Sequence, residues 1–362
     1  MSPRKRALCE LTNSPAAQEP LDPRVPRDIM ARVRLDGADA GADVQSPPPT
    51  LERGISVVVC TYRRPASVLR FLESLRVQRA ACDQLIIVDA SPDDATERAL
   101  RDDADAPSLA RSVLYFRVGG ELRGLTRQRN FALRWVATDL VAFFDDDIVL
   151  LPDCLGELER CHRVLHRDAV GVGALIVDEL GATTRLWQLR RALRVVPSLE
   201  PGRYHRSGFS TPWNVASTTS APVQGDWLHG GATMWKTDAA RALGFCEQLG
   251  GYGQGEDLEF SLRARTRGAL VTMGSARVLH LHEASARPDD FRMGYMALYN
   301  RYQIHRRGLR DRTWRDALWF AYAWTLDTLL LARHLLLPRR IAPTIKHAAG
   351  RCAAAYDLLC GR

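Results

Sequence analysis

The chain has 362 residues, 46% of them hydrophobic and 25% charged, which suits one large folded α/β domain with extensions. Its net charge of +8 is not spread evenly: residues 1–54 carry 8 basic and 8 acidic side chains, residues 301–362 carry 12 and 4, and 30 of each lie between. A uniformly basic surface would point to nucleic acid; this distribution excludes it and points to an anionic membrane surface or a polyanionic acceptor met by the tail.

Residues 1–54 are rich in Pro, Ala, Asp and Arg and are expected to be mostly disordered. Met1 to Glu10 is basic but leads into polar, Pro-rich sequence, so no secretory signal is expected. Order is predicted to begin at Ile55–Cys60, a β-branched run of the kind buried on both faces of a parallel sheet. Pro65 opens a helix with Val68, Leu69, Leu72 and Leu75 on one face. Strands follow at Leu85–Val88, Val113–Val118 and Leu140–Phe144, with helices after Pro92 and over Leu125–Val136. This alternation predicts a doubly wound, mostly parallel sheet, whose ligands bind beyond the carboxyl ends of the strands. Thr61-Tyr62-Arg63, Asp89-Ala90-Ser91 and Asp145-Asp146-Asp147 stand at those ends.

Three adjacent carboxylates repel one another, and a cation offsets that cost. Oxygen ligands of this kind suit Mg²⁺ or Mn²⁺ bridging substrate phosphates. A solvated acidic turn, or caps for a helix beginning near Pro152, would explain an isolated triplet; its place at a strand end favours the metal.

The eight cysteines form no CxxC pair and no zinc spacing, which fits a reducing, cytoplasmic setting.

Taken together, Val58 to Pro65, Ile86 to Asp94, Gly124 to Asn130, Asp145–Asp147, Gly230-Gly231-Ala232 and Gly255-Glu256-Asp257-Leu258-Glu259 with Arg263 occur in the order of a known family. From about Ile55 to His282 the chain resembles a family 2 glycosyltransferase of the GT-A fold. The resemblance implies an inverting, metal-dependent transferase that takes a nucleotide-sugar donor and a carbohydrate or glycolipid acceptor. It places Thr61, Tyr62 and Asp89 at the base and ribose, with Arg63, Ser91, Asn130 and Asp146 on the same donor side. Arg129 falls at the base or diphosphate, Asp145 at the ribose, and Asp147 on the metal. Ala90 departs from the family, which usually has Asp or Asn there. Asp89 also has a plainer reading, as a cap for the helix after Pro92.

Glu256 and Asp257 open a helix behind Gly255, where acidic residues are ordinary partners of the helix dipole. The family puts its general base at Asp257, and one base without an enzyme nucleophile means a single displacement with inversion. It also completes many metal sites with a His on a late strand. His280 and His282 alternate along a strand expected over Arg277–His282 and share a face, with His282 the preferred ligand. Trp227, His229, Gly230 and Gly231, with Glu256, resemble the acceptor side, although Trp227 reads equally well as core.

The tail contains an apolar stretch over 317–337, interrupted by Asp327, Arg333 and His334, so a membrane span is not expected. Two readings stand: an in-plane interfacial helix at the inner face of the cell membrane, or a helix packed on the catalytic domain. The expected division is 1–54 disordered, 55–300 catalytic and 301–362 a basic helical tail. The rival functions are a sugar-nucleotide pyrophosphorylase, which needs a Gly-rich basic loop that Thr61 to Pro65 lacks, and a non-catalytic surface-binding protein.

Overall fold

The computed structural model describes residues 29–34, 50–178, 185–213, 220–249, 252–283, 288–309 and 311–361. The first half alternates as its apolar pattern dictates. An edge strand β1 (Ile29–Arg34) is followed by β2 (Glu52–Thr61), helix α1 (Pro65–Arg76), β3 (Gln84–Asp89), α2 (Ala95–Asp102), β4 (Ser112–Val118), α3 (Leu125–Leu133) and β5 (Thr138–Asp145). The chain continues through β6 (Ile148–Leu150), α4 (Cys154–Arg160), β7 (Ala169–Ile176), α5 (Arg185–Ala192), β8 (Pro222–Gly225) and β9 (Ala232–Lys236). It closes with α6 (Thr237–Leu243), α7 (Glu256–Ala264), β10 (Ala269–His280), α8 (Asp290–Gly308), α9 (Trp314–Leu330) and α10 (Ile341–Leu359).

Among the described residues the sheet runs β1-β4-β3-β2-β5-β9-β7-β10-β6, with β8 pairing β10. The block β4-β3-β2-β5 is parallel throughout. Beyond it the sheet is mixed: β9 runs antiparallel to both β5 and β7, while β7 and β10 are parallel. Successive residues of a strand face opposite sides, so Ile55, Val57 and Val59 enter one core with Phe71, Leu72 and Phe144, while Val58 enters the other with Phe116, Phe131 and Phe143. All are at most 3% exposed, and such burial stabilises by roughly 1.5–3 kcal/mol per large apolar side chain. A GT-A-type α/β sheet flanked by helices, with further helices at the C-terminus, is thus what the chain forms.

Three elements depart from the sequence reading. Ile29–Arg34, inside the segment expected to be disordered, pairs antiparallel with β4; its alternation is too short to stand out and is completed only by the open edge of β4. Helix α3 stops at Leu133 rather than Val136, because Trp135 closes a turn onto Ala132 O and the chain must enter β5. The apolar stretch 317–337 is not one helix: α9 ends at Leu330 and a 3-10 segment, Leu331–Leu336, follows.

A third core is built from Val195, Val196, Phe209, Leu298, Phe320, Ala323, Trp324 and Ala354. It joins α9 and α10 to α8 and to the segment after α5, and the boundary expected at residue 300 falls inside α8. Asp327, 3% exposed, accepts hydrogen bonds from Arg190 on α5 and Arg351 on α10, so α9 is packed on the domain. The Trp319 and Tyr322 polar atoms likewise bond the backbone oxygens of Arg194 and Leu193. Among the described residues no helix is long and apolar enough to cross a membrane.

Candidate active site

The carboxyl ends of β2 and β5 and the N-terminus of α7 converge on a cleft of about 590 Å³. Asp145, the last residue of β5, lines it with a side chain 35% exposed. Asp146 and Asp147 follow, and both are nearly buried. Asp146 accepts from Thr61 Oγ1 at 2.6 Å and from Arg64 Nη1 at 3.0 Å. Burial still pushes its carboxyl up to about 6 against those two partners. Asp147 differs: burial would raise it, but hydrogen bonds from His280 and from the Glu283 N–H outweigh burial and hold it below the usual range.

His280 Nε2 lies 3.3 Å from Asp147 Oδ1. Asp145, Asp147 and His280 each offer a ligand atom within 4.8 Å of the others. Two carboxylates and an imidazole suit a divalent cation, with open positions left for phosphate oxygens and water. Of the two histidines singled out in the sequence, His280 is the one in this group of three. Strand β10 ends at His280, where Asp178 accepts the His280 N–H and the Asp147 carbonyl accepts the Leu281 N–H. His282 lies beyond the strand at φ 52°, with its ring centroid 4.0 Å from that of His280.

The opposite end of the cleft carries Glu256 and Asp257 at the start of α7. Behind both walls stands Arg129, 2% exposed. It donates to Glu256 Oε1 at 2.7 Å, to Asp145 Oδ1 at 3.0 Å and to the Gly230 carbonyl at 3.1 Å, with its guanidinium over the Phe143 and Phe245 rings. Burial opposes the charge on Arg129, but the two carboxylates more than offset it and raise its pKa. Glu256 is buried with Oε2 lacking a hydrogen-bond partner, and burial pushes its carboxyl up to about 8 despite Arg129. Gly230 and Gly231 permit this close approach: a Cβ would lie 2.3 Å from Glu256 Oε1 at the first and 2.3 Å from Asp145 Oδ2 at the second.

Of the residues singled out in the sequence, Thr61, Tyr62, Asp145, Asp146, Asp147, Gly230, Gly231, Glu256, Asp257 and His280 line this one cleft. Others stand behind its wall. Asp89 and Ser91 are fully buried: Asp89 accepts from the Ser91 N–H and the Tyr115 hydroxyl, and Ser91 Oγ accepts the Arg63 N–H. They shape the turns after β2 and β3, while Ala90 lines the cleft between them. Arg63 is exposed, Asn130 ties α3 to Phe245 and Glu247, and Trp227 is core, bonded to the Thr211 carbonyl. His229, read with Gly230 and Gly231, also lines it, whereas the sequence reading missed Arg64, Arg123 and Tyr252 as lining residues. Arg64 adjoins the Thr61-Tyr62-Arg63 strand end, whereas Tyr252 reaches the cleft only through the fold.

The comparisons agree with this geometry. Residues 56–220, a little under half of the chain, match the model of Glycosyl transferase family 2. Among solved structures, the mannosyltransferase PcManGT from Pyrobaculum calidifontis, in complex with GDP-Man and Mn²⁺, superposes with a TM-score of 0.51 at 18% identity, over 87% of this chain and 89% of its own. GalNAc-T7, with UDP, GalNAc and Mn²⁺, gives 0.52 at 15% identity over 70% of this chain and 47% of its own. At such identities the likeness is one of fold. No curated protein matches the chain by sequence. The family-model match, on a shared fold, supports a glycosyl-transfer role.

Proposed function

We propose that the cleft transfers a sugar from a nucleoside-diphosphate donor to an acceptor hydroxyl of a surface polysaccharide or glycolipid, by single displacement with inversion. The observation that carries this reading is the Arg129 bracket. One buried side chain holds both Asp145, beside the candidate metal ligands, and Glu256, next to Asp257, so the donor and acceptor ends are fixed relative to one another.

Asp145, Asp147 and His280 would hold a divalent cation, Mn²⁺ or Mg²⁺, which supplies positive charge for the departing nucleoside diphosphate. Thr61 and Tyr62 receive the nucleoside; the guanidiniums of Arg63 and Arg123 lie over the Tyr62 ring, 5.3 and 5.8 Å from its centroid. Asp257 takes the acceptor proton as the hydroxyl attacks the anomeric carbon. The Cys60 thiol also lines the cleft, but burial pushes it up to about 12, leaving it neutral and a poor nucleophile for a two-step route. Gly230 and Gly231 form the floor on which the acceptor lies.

The test is donor binding by thermal shift across nucleotide sugars, with and without Mn²⁺. The wild-type chain should be stabilised by one donor in a Mn²⁺-dependent way, and Asp147→Ala should remove that dependence. A donor shift that is identical without metal, or unchanged in Asp147→Ala, would sink the metal assignment.

A further inference from the structure

We propose that the corner between α9 and α10 is a docking tip that seats the protein on an anionic lipid bilayer. Helix α9 packs on the domain through Phe320, Trp324 and Asp327, while Trp314, Leu318, Tyr322 and Leu329 on its outer side stay exposed. That exposed apolar surface is densest where α9 gives way to α10. Every residue from Leu335 to Pro343 is exposed, in the order Leu-Leu-Leu-Pro-Arg-Arg-Ile-Ala-Pro. Leu336 is 84% exposed, Leu329 66% and Ile345 57%. A folded chain does not leave so many aliphatic side chains along one short connection in water without something to cover them.

The charge around them says what covers them. From Thr328 to Tyr356 the sequence contains Arg333, Arg339, Arg340, Lys346 and Arg351 and no acidic residue. The acidic residues that precede it are committed elsewhere: Asp311 and Asp316 pair with Arg206, and Asp327 with Arg190 and Arg351. Arg339, Arg340 and Lys346 are exposed beside Leu336, Leu337, Ile341 and Ile345. Aliphatic side chains flanked by cations match an interface whose headgroups are anionic and whose acyl boundary is apolar. A soluble polyanion would satisfy the cations and leave the leucines in water.

The tip is rigidly joined to the rest. Helix α10 lies so close to α8 that a Cβ at Gly294 would stand 2.0 Å from the His347 carbonyl oxygen, and one at Gly350 2.0 Å from that of Phe291. Helix α8 begins two residues after Pro288, which lines the cleft. Bilayer contact would therefore set the orientation of the cleft relative to the membrane. This inference stands apart from the catalytic reading.

The experiment is co-sedimentation of the full chain with phosphatidylcholine vesicles, with and without phosphatidylglycerol, over a salt series. Binding should require the anionic lipid and weaken with salt. Leu336→Asp with Leu337→Asp should lower vesicle affinity by about tenfold or more. Arg339→Glu with Arg340→Glu should lower affinity for the anionic vesicles by about tenfold or more. All four positions are exposed, so the melting temperature and donor binding should stay at wild-type values. Absence of vesicle binding, equal binding to both vesicle types, or wild-type binding by the leucine variant would overturn the proposal. So would a concentration-dependent dimer that the leucine variant abolishes, since the face would then belong to a second copy.

Discussion

Two buried charge clusters in this chain are built in opposite senses. At the cleft, one guanidinium, Arg129, stands between two carboxylates, Asp145 and Glu256, and one Glu256 oxygen has no hydrogen-bond partner. In the C-terminal core, one carboxylate, Asp327, stands between two guanidiniums, Arg190 and Arg351, and both its oxygens accept hydrogen bonds. The first borders an open cleft in which Asp145 stands with Asp147 and His280, the groups that could receive a cation. The second faces no described cleft of this kind and fastens α5, α9 and α10 together. Burying ions is costly in either place, so the difference in surroundings separates a site from a staple.

Breaking the staple should have the largest effect on folding. Asp327→Asn leaves Arg190 and Arg351 close together without their counter-charge, and removing one partner of a buried pair costs about 3–5 kcal/mol. Denaturant unfolding should show that loss; a change within error would mean that the cluster is hydrated and not structural. Arg129→Met should cost less, on the order of 2–3 kcal/mol, because Glu256 can take up a proton once its partner is gone. Unlike the tail variant, it should also weaken Mn²⁺-dependent donor binding, since Asp145 loses its tether. Wild-type donor affinity in Arg129→Met would show that the bracket does not organise the site.

A pH profile sharpens the contrast further. The folded chain raises the Glu256 carboxyl from 4.5 to about 8, so it holds that proton more tightly than the unfolded chain. The contribution is fully present below pH 4.5 and is lost as pH rises toward 8, by at most about 1.4 kcal/mol per pH unit. Glu256→Gln should flatten that part of the stability profile relative to wild type. Parallel profiles across this range would show that Glu256 stays ionised in the folded chain.

The parallel half of the fold was legible because local pattern suffices there. The β-branched runs of β2, β3 and β5, Pro65 at the start of α1 and Gly255 before α7 each carry their signal within a few residues. The carboxylates of Asp145 and Asp147 were legible for the same reason, since they directly follow the apolar run of β5. What escaped the sequence depends on distant partners. The choice of His280 over His282 turns on where Asp147 and Asp178 end β10, and those residues lie more than a hundred positions away. Whether Asp89 faces a ligand or Tyr115, and whether Arg129 reaches the donor or braces Glu256, is likewise decided by packing. Strand β1 and the tip after Leu330 have no periodicity long enough to read.

The central claim, that this cleft performs an inverting transfer with Asp257 as base, is tested most directly by Asp257→Asn at saturating donor. Asparagine keeps the size of the side chain and caps a helix about as well, so melting temperature and donor affinity should hold at wild-type values. Transfer should fall by ~10²–10⁴, the usual contribution of a general base. A near-normal transfer rate in a variant that still binds donor would contradict the account.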